Sequence, residues 1–445
     1  MLHLITTISK YTIMLMFALY TYNCFSVLRI GLKPKRKAWI YRKQQVLTYL
    51  ILLNSNAVLL CTTMDGRVLV MALAEVIFLS ITTMIYSKMY EGASKSVVNN
   101  MCMLLGIGFV ILTRLDFNRA MRQFVFAVVA LIVTAFIPLF VSKLKFLNRL
   151  SFLYAIIGVA CLGVVAIVGT AEYGAKLNVS LGPVSVQPSE FIKIIFVFFM
   201  AAILYNYEEF YELLYVSVVA LLHVGLLVAS RDLGGAAIFL ITYICMLYVA
   251  TKKFYILLGG ALIGGVGAFL AYKLFSHVQN RVVAWLDPLS VIDKQGYQVS
   301  QSLFAIGTGG WFGSGLGEGL PEKIPVVSKD FVFAAISEEL GGVFALCLIF
   351  VCISCLLMFF NISMSIRDPF YKLIALGLAV EYGTQVFLTI GGVTKFIPST
   401  GVTLPLVSYG GSSLLATMIL FAIIQGLYMK RNDEEREIED EKERN

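Results

Sequence analysis

Long runs of apolar residues, separated by short polar loops, account for most of this 445-residue chain. Each run approaches the roughly 20 helical residues that cross a hydrocarbon core of about 30 Å. The longest polar interruption, residues 275–330, lies between the tenth and eleventh runs, and we call it the polar segment. The pattern predicts an all-α, polytopic membrane protein with thirteen spans, near residues 12–32, 46–64, 67–88, 97–114, 122–141, 150–170, 188–205, 211–229, 233–250, 254–274, 331–359, 370–393 and 405–429.

The composition supports this class and excludes others. Hydrophobic residues make up 59% of the chain and charged residues only 14%, whereas soluble domains have about 25% charged residues. The net charge of +8 comes largely from basic residues in loops between apolar runs, which argues against nucleic-acid binding. All eight cysteines lie inside apolar runs and the three histidines are scattered, so neither a disulfide framework nor a metal site is predicted.

Basic residues in the short loops predict the orientation of the chain, because they accumulate on the cytoplasmic side of a membrane. They follow the first, fifth, ninth and last predicted spans, which all end on one side if the spans alternate. The C-terminal tail, residues 431–445, is therefore expected in the cytoplasm, and the N-terminus and the polar segment outside. Arg114, Arg119 and Arg122 run against this rule. The tail has mixed charge and is expected to be a solvated, frayed helix or disordered.

Two short polar motifs begin the seventh and ninth predicted spans. Glu190 lies in the first turn of the seventh, where a carboxylate suits the helix dipole, and Lys193 follows on the same helix face. This pair either neutralises itself as a structural cap or contacts a substrate. Asp232, just before two glycines, is expected to cap the ninth span.

The polar segment and the start of the eleventh span carry most of the clustered polar chemistry. The first polar side chains of the polar segment include Arg281, Asp287, Asp293 and Gln298. Residues 307–319, which we call the glycine segment, then supply seven glycines; so many disfavour a helix and let backbone approach a ligand closely. Asp330 is expected to cap the eleventh span. Glu338 and Glu339 lie deeper in it, where a carboxylate is either functional or hydrogen-bonded to a neighbouring helix.

A last interruption covers residues 395–413, where Pro398, Gly401 and Pro405 break any continuous helix. Such backbone is tolerated at membrane depth where it lines a cavity or is buried in protein. Lys395 and Ser408 add polar side chains there. Together the polar groups are expected to surround one external cavity suited to a phosphate-bearing lipid. From the residues alone, transport of a solute and chemistry on a lipid head group remain comparable options.

Five polar strings give the sequence a specific resemblance. They are QPSEFIK at 187–193, DLGGA at 232–236, DP followed by GYQVSQSLFAIGTGGWFGSGLG within 287–317, IPVVSKDFVFAAISEELGG at 324–342 and PSTGVTLPLVSYGGSS at 398–413. Over about residues 97–430 the pattern resembles the SEDS family, the shape, elongation, division and sporulation proteins FtsW, RodA and SpoVE, which are peptidoglycan glycosyltransferases. Because that family has about ten spans, the resemblance implies a ten-helix core at 97–430, with three extra helices within residues 1–96.

The resemblance implies polymerisation of lipid II at the plasma membrane of a bacterium. The 4-hydroxyl of one sugar attacks C1 of another, and undecaprenyl pyrophosphate leaves. The reaction needs a carboxylate to take the hydroxyl proton and cations to stabilise the leaving group. In the family, the proposed base is an aspartate four residues after the first aspartate of the loop motif. That position here is Val291, so the resemblance implies a shifted base at Asp293, with Asp287 as the fallback.

The remaining roles follow from the resemblance and from charge. Substrate contacts are expected at Glu190, Lys193, Arg281, Gln298, Lys323, Lys395 and Ser408, and cavity-wall roles at Asp232, Asp330 and Glu339. The sequence requires no cofactor and predicts no metal ligands; a divalent cation, Mg²⁺ or Mn²⁺, at the pyrophosphate is left open. The implied partners are a class B penicillin-binding protein, which is a transpeptidase, and other divisome or elongasome proteins.

Two alternatives use the same residues differently. A lipid II flippase would need the cavity but no base, and Val291 gives it some weight. A non-catalytic divisome scaffold would use the N-terminal helices and the charged tail. No sequence feature selects among division, elongation and sporulation.

Overall fold

The computed structural model describes residues 2–29, 31–90, 92–143, 146–172, 175–181 and 184–444. In chain order its helices and strands are α1 (Leu2–Val27), α2 (Pro34–Thr63), α3 (Gly66–Lys88), α4 (Lys95–Leu115), α5 (Phe117–Thr134), α6 (Ile137–Lys143), α7 (Ser151–Val168), β1 (Thr170–Glu172), β2 (Ala175–Leu181), β3 (Val184–Val186), α8 (Ser189–Leu204), α9 (Phe210–Ala229), α10 (Leu233–Thr251), α11 (Tyr255–Leu274), α12 (Ser276–Leu286), α13 (Tyr297–Gly309), α14 (Val332–Ser365), α15 (Pro369–Val393) and α16 (Gly411–Arg444). Single 3₁₀ turns cover Leu147–Arg149 and Pro321–Lys323.

The predicted class, an all-α polytopic membrane protein, is confirmed. Twelve helical stretches in the described part of the chain are long and apolar enough to cross a membrane. The predicted seventh span is helix α8, which has 16 residues and is therefore only about 24 Å long. It is shorter than a hydrocarbon core of about 30 Å, so the count of thirteen holds only if this helix is included.

Several boundaries differ from those that hydrophobicity predicts. Helix α1 begins about ten residues before the predicted 12–32, because its first turns carry interspersed polar residues that lower the local hydropathy. The tail is not separate from the last span, since α16 continues as one helix to Arg444. Between α7 and α8 the backbone forms an antiparallel sheet of order β1-β2-β3, which the apolar pattern did not predict.

Helix α4 lies at the centre of one half of the protein. The whole of its membrane-length window is buried, and it packs against α2, α3, α5 and α14. In the other half, α15 packs against α8, α10 and α14, whereas the mostly exposed α11 contacts α10 and α12. The polar segment contributes α12 and α13, and α13 packs closely on α14. Short polar elements are thereby placed at one end of the helices.

Candidate active site

The candidate site is built around the non-helical backbone between α15 and α16, residues 394–410, which we call the connector. Pro398, Gly401 and Pro405 keep this stretch out of a helix, and Lys395 and Leu406 adopt positive φ angles of 60° and 65°. Positive φ is uncommon for residues other than glycine, and such conformations collect where surrounding contacts fix the chain. The connector therefore presents backbone carbonyl groups in fixed directions to the neighbouring elements.

Lys193 is, with Ser408, one of the two buried residues among the predicted substrate contacts. Its side chain is about 5% exposed, and its Nζ donates to Glu190 Oε2 at 2.8 Å and to Gln385 Oε1 at 2.7 Å. Gln385, on α15, in turn donates through Nε2 to the carbonyl of Thr403 in the connector at 3.0 Å. The predicted Glu190 and Lys193 pair therefore forms, and it is tied through Gln385 to the connector.

Glu381 lies one helical turn before Gln385 on α15, so the two side chains share a face. It is 1% exposed, and neither carboxylate oxygen has a hydrogen-bond partner among the residues that the structure describes. The charges of Lys193 and Glu190 act on this carboxylate. The buried cluster thus contains one cation and two carboxylates, and one of the carboxylates has unused hydrogen-bonding capacity.

Arg281, on α12, brings a second cation to the connector. Its Nη1 donates to the carbonyl of Ser399 at 3.2 Å. A Cβ atom placed on Gly401 would lie 3.5 Å from Arg281 Nη2 and 3.6 Å from Asp330 Oδ2, so both side chains converge over this glycine. Burial lowers the pKa of Arg281, while the carboxylates of Asp330 and Asp232 act in the opposite direction.

Asp232 caps α10 as the sequence predicts, accepting a hydrogen bond from the Gly235 backbone N–H at 2.8 Å. Part of the side chain remains accessible, but the surrounding protein removes enough water that burial raises the pKa of the carboxyl above its usual value. The prediction for Asp330 is wrong, because Phe331 occupies the N-cap position of α14. The backbone turns into the helix one residue later than expected, which leaves Asp330 facing Arg281.

Ser408 anchors the other end of the connector to the polar segment. Its Oγ donates to the carbonyl of Lys329 and accepts from the backbone N–H of Leu404 at 2.9 Å. Its own carbonyl accepts from Gln123 Nε2 on α5 at 3.1 Å. With both the hydroxyl and the carbonyl engaged inside the protein, Ser408 holds the connector in place rather than presenting a free hydroxyl to a substrate.

The two candidate bases lie on the turn between α12 and α13. Backbone N–H groups of Lys294 and Gly296 both donate to the carbonyl of Val291, at 3.1 and 3.0 Å, and close a tight loop. Asp293 lies inside this loop, is exposed, and has no hydrogen-bond or ionic partner among the residues that the structure describes. Asp287 Oδ1 accepts from the Ser290 N–H at 3.3 Å. Val291 therefore organises the turn through its carbonyl, and the turn projects Asp293.

The other predicted contacts are more dispersed. Gln298 is half-buried at the start of α13, and Lys323 is exposed on the 3₁₀ turn. Lys395 is half-buried, and its carbonyl accepts from Trp285 Nε1 at 3.1 Å. That hydrogen bond fixes the backbone at Lys395 close to α12.

Glu339 and the glycine segment form a structural unit rather than a ligand-facing loop. Glu339 is 1% exposed; its Oε1 accepts from Arg114 Nε at 2.9 Å and its Oε2 from the Gly317 N–H at 3.2 Å. Gly341 interrupts α14 with φ of 86°, and a Cβ on Gly313 would collide with the carbonyl oxygen of Glu339. The glycines therefore allow backbone to pack against the break in α14, although α13 still extends to Gly309.

The sequence analysis did not name three residues of these networks, Gln385, Glu381 and Gln123. It named Arg114 but did not predict its partner. The signal for the first two is present, since both are polar side chains four residues apart within an apolar span. Arg114 was noticed only as an exception to the charge rule, and its partner Glu339 lies 225 residues away. Pairing at such a separation follows from tertiary packing and leaves no local pattern.

An apolar groove of about 390 Å³ lies elsewhere, between α14 and α15. Its walls include Leu356, Val386 and Phe387, and none of the predicted substrate residues lines it. Thr394 and Phe396, at the start of the connector, also line the groove, whereas Lys193, Gln385 and Arg281 do not.

Comparison with known proteins places the chain among cell-wall enzymes. The model of the FtsW/RodA/SpoVE cell cycle protein family matches residues 95–433. A peptidoglycan glycosyltransferase RodA of Mycobacterium tuberculosis is 34% identical over 353 residues, covering 72% of this chain and 75% of that protein. A probable peptidoglycan glycosyltransferase FtsW of Aliivibrio salmonicida is 31% identical, covering 74% of this chain and 84% of that protein.

Solved structures agree with these matches. A chain from a peptidoglycan synthase complex, described as coordinating polymerization and crosslinking, has a TM-score of 0.64 and 26% identity, covering 76% of this chain and 98% of that chain. The rod shape determining protein RodA of Thermus thermophilus has a TM-score of 0.59 and 25% identity, covering 77% of this chain and 98% of that chain. Helices α1 to α3 lie before the residues that the family model matches.

Proposed function

Because this chain belongs to the FtsW/RodA/SpoVE family of cell cycle proteins, we propose that it is a peptidoglycan glycosyltransferase that polymerises lipid II. The names of its relatives support the reaction class. The observation that carries the proposal is the pair of cations at the connector: Lys193 reaches it through Gln385, and Arg281 binds the Ser399 carbonyl directly. Two fixed cations suit a substrate that carries a pyrophosphate.

The reaction transfers a glycosyl group with inversion. The 4-hydroxyl oxygen of the acceptor sugar forms a bond to C1 of the donor, and the bond from C1 to the pyrophosphate oxygen breaks. The hydroxyl proton passes to a carboxylate, and the bonding electron pair stays on undecaprenyl pyrophosphate. Cations held in position before the reaction stabilise the charge that builds on the leaving group, which is the contribution we assign to Lys193 and Arg281.

Asp293 is the proposed general base, with Asp287 as the fallback. Asp293 is exposed and has no hydrogen-bond or ionic partner in the described ranges of the chain, so its carboxylate is free to accept a proton from a bound hydroxyl group. Asp287 already accepts a backbone N–H at 3.3 Å, which occupies one of its oxygens. The loop closed on the Val291 carbonyl supports this proposal, because it projects Asp293, two residues after Val291, from the turn.

No step is assigned to a metal ion. The described residues offer no group of three or more His, Cys, Asp or Glu side chains that could hold one. Mg²⁺ bound mainly through the pyrophosphate oxygens, as it commonly is in phosphate chemistry, remains an option, as does Mn²⁺.

The proposed setting is a bacterial plasma membrane, with the polar segment and the N-terminus outside and the C-terminus in the cytoplasm. Arg114 and Arg119, which run against the charge rule, both pair with carboxylates, at 2.9 Å to Glu339 and 3.1 Å to Asp116. Labelling of a cysteine introduced at exposed Glu322 by a membrane-impermeant reagent in intact cells would test this orientation. The proposed partner is a class B penicillin-binding protein acting as transpeptidase, together with divisome or elongasome proteins.

The test is polymerisation of labelled lipid II by the purified protein, with and without its cognate transpeptidase. We expect Asp293→Asn to lower the rate by about 10²-fold or more, since general-base catalysis contributes about 10²–10⁴-fold. Asp287→Asn, the matched control on the same turn, should change the rate less than about threefold. Both side chains are exposed, so neither change should alter folding.

Two results would reject parts of this proposal. Loss of activity only in Asp287→Asn would move the base to the fallback residue. If neither variant affects polymerisation, or if the wild type forms no glycan chains even with its partner, the catalytic assignment is wrong. Lipid II translocation in proteoliposomes would then separate the flippase from the scaffold.

A further inference from the structure

Helices α1 to α3, which we call the N-terminal unit, are packed into the protein rather than attached to its edge. The Phe17 and Phe344 rings stack with centroids 4.2 Å apart, which joins α1 to α14. The buried Tyr20 hydroxyl lies 2.9 Å from Asn100 Oδ1 of α4. These contacts are made with α14 and α4, the helices that carry Glu339 and Arg114. The N-terminal unit therefore packs against the rest of the protein and does not face lipid alone.

The polar residues of α4 depend on this packing. Asn99 Nδ2 donates to Gln44 Oε1 of α2 at 3.0 Å, and both side chains are buried. An amide that faces hydrocarbon without such a partner is strongly destabilising, because no water is available there to replace the lost hydrogen bonds. The sequences of α2 and α4 are therefore complementary to each other.

The N-terminal unit also contacts the glycine segment directly. Lys10 Nζ donates to the Gly313 carbonyl at 3.0 Å. Thr6 is 2% exposed, and its hydroxyl proton is shared between two acceptors, the His3 carbonyl at 3.0 Å and Glu318 Oε1 at 3.3 Å. A Cβ on Gly317 would lie 3.4 Å from the Cβ of Thr62 at the end of α2. Two helices of the unit thus touch the same short stretch of the polar segment.

The opposite side of the glycine segment is bonded to α14. The N–H of Ser314 donates to the Glu338 carbonyl and the N–H of Gly315 to the Glu339 carbonyl, each at 2.9 Å. The segment is therefore held between α1 on one side and the break in α14 on the other. It continues directly from the C-terminus of α13, whose N-terminus follows the turn that carries Asp293.

We propose that the N-terminal unit is an intramolecular positioning module for the polar segment, and that Lys10 is its main positioning residue. By fixing the glycine segment against α14, it fixes α13 and, through α13, the turn of the candidate base. The positioning role rests on the proposed function, because it assigns the effect to glycan polymerisation. The holding of the glycine segment is measurable without any activity.

The experiment compares full-length wild type with Lys10→Met, Lys10→Arg and the control Thr12→Val. Thr12 lies on the same helix and is exposed, and its one side-chain hydrogen bond to a described residue is to the Ile8 carbonyl of its own helix, at 2.8 Å. Hydrogen exchange is followed at the amides of residues 313–315, and lipid II polymerisation is measured on the same preparations.

In Lys10→Met we expect exchange at these amides to rise about tenfold, as follows from losing one hydrogen bond to a charged group. We expect kcat to fall about tenfold with little change in KM, since small displacements of a catalytic group slow the chemical step.

Each readout has its own outcome. Lys10→Arg should restore both values, and Thr12→Val should change neither. Unchanged exchange in Lys10→Met overturns the proposal whatever the activity. Faster exchange with unchanged kcat overturns the positioning role, because the segment would then be held without consequence for the reaction. A wild type that makes no glycan chains contradicts the proposed function instead, and the exchange data still decide whether the unit holds the segment.

Discussion

Two buried ion pairs in this protein differ in how completely their hydrogen-bonding groups are used. In the pair of Arg114 and Glu339, both carboxylate oxygens have partners, one from the guanidinium and one from the Gly317 N–H. In the cluster of Lys193 and Glu190, the ammonium group uses two donors, and within the described part of the chain the adjacent Glu381 has no hydrogen-bond partner for either oxygen. The first pair is complete without a ligand, and the second is not.

This difference separates a structural role from a functional one. A buried polar network that satisfies all its members rigidifies the fold, while unpaired buried groups are costly and need a reason to exist. The pair at Glu339 fixes the break in α14 and the glycine segment. The cluster at Lys193 retains unused hydrogen-bonding groups that can bind water, a proton or a substrate. Hydrogen bonds through Gln385 link it to the connector. We therefore assign stability to the first and substrate binding to the second.

The largest expected effect is the loss of stability when the complete pair is broken. Arg114→Met leaves the buried Glu339 carboxylate without its cation, and breaking a buried pair in this way costs about 3–5 kcal/mol. The measurement is thermal unfolding of the purified protein in detergent.

The control for this prediction is Glu322→Gln, which removes the outer carboxylate 3.8 Å from Arg114. That side chain is 60% exposed, so the pair should contribute no more than about 1 kcal/mol. Equal losses of stability in the two variants would contradict the assignment of a structural role to Glu339.

The two regions also show what the sequence can and cannot predict. Hydrophobic patterning predicted the spans, and local polar motifs predicted the cap at Asp232 and the place of Glu190 in the first turn of α8, because these depend on neighbouring residues. The charge and spacing of Glu190 and Lys193 predicted their pairing. The links from Lys193 to Gln385, 192 residues apart, and from Arg114 to Glu339 depend on which helices pack together. A single sequence carries no periodic signal for such contacts.

The glycine segment is the clearest case of a pattern with two readings. Many glycines permit close approach of backbone, and the sequence cannot say whether the approaching group is a ligand or another helix. In the structure it is α14, with Gly313 and Gly341 against each other's backbone. The Asp330 prediction shows the same limit, since Phe331 rather than Asp330 takes the N-cap position of α14, and the Asp330 carboxylate lies near Arg281, 49 residues earlier in the chain.

The next effect is expected on activity. Lys193→Met removes the cation from the cluster of Lys193, Glu190 and Glu381. We expect polymerisation to fall about 10²-fold, the usual loss when one electrostatic contact to the transition state is removed. The change also leaves two buried carboxylates uncompensated, so stability should fall too. The double variant Lys193→Met with Glu381→Gln separates these effects, because it should recover stability but not activity. Recovery of both would show that Lys193 has only a structural role.

The smallest effect is predicted for Glu381→Gln, and it tests the comparison most directly. The substitution is nearly isosteric and replaces a carboxylate that forms no hydrogen bond with any residue the structure describes, so none of the described hydrogen bonds is lost. Removing a buried acid that adjoins a like charge, Glu190, should leave the unfolding free energy within about 1 kcal/mol of wild type. The same thermal unfolding assay measures it beside Arg114→Met. A loss of unfolding free energy as large as that of Arg114→Met would mean that a bound water or ion holds Glu381 as firmly as protein groups hold Glu339. Both clusters would then have all their hydrogen-bonding groups occupied, and the distinction between them would be wrong.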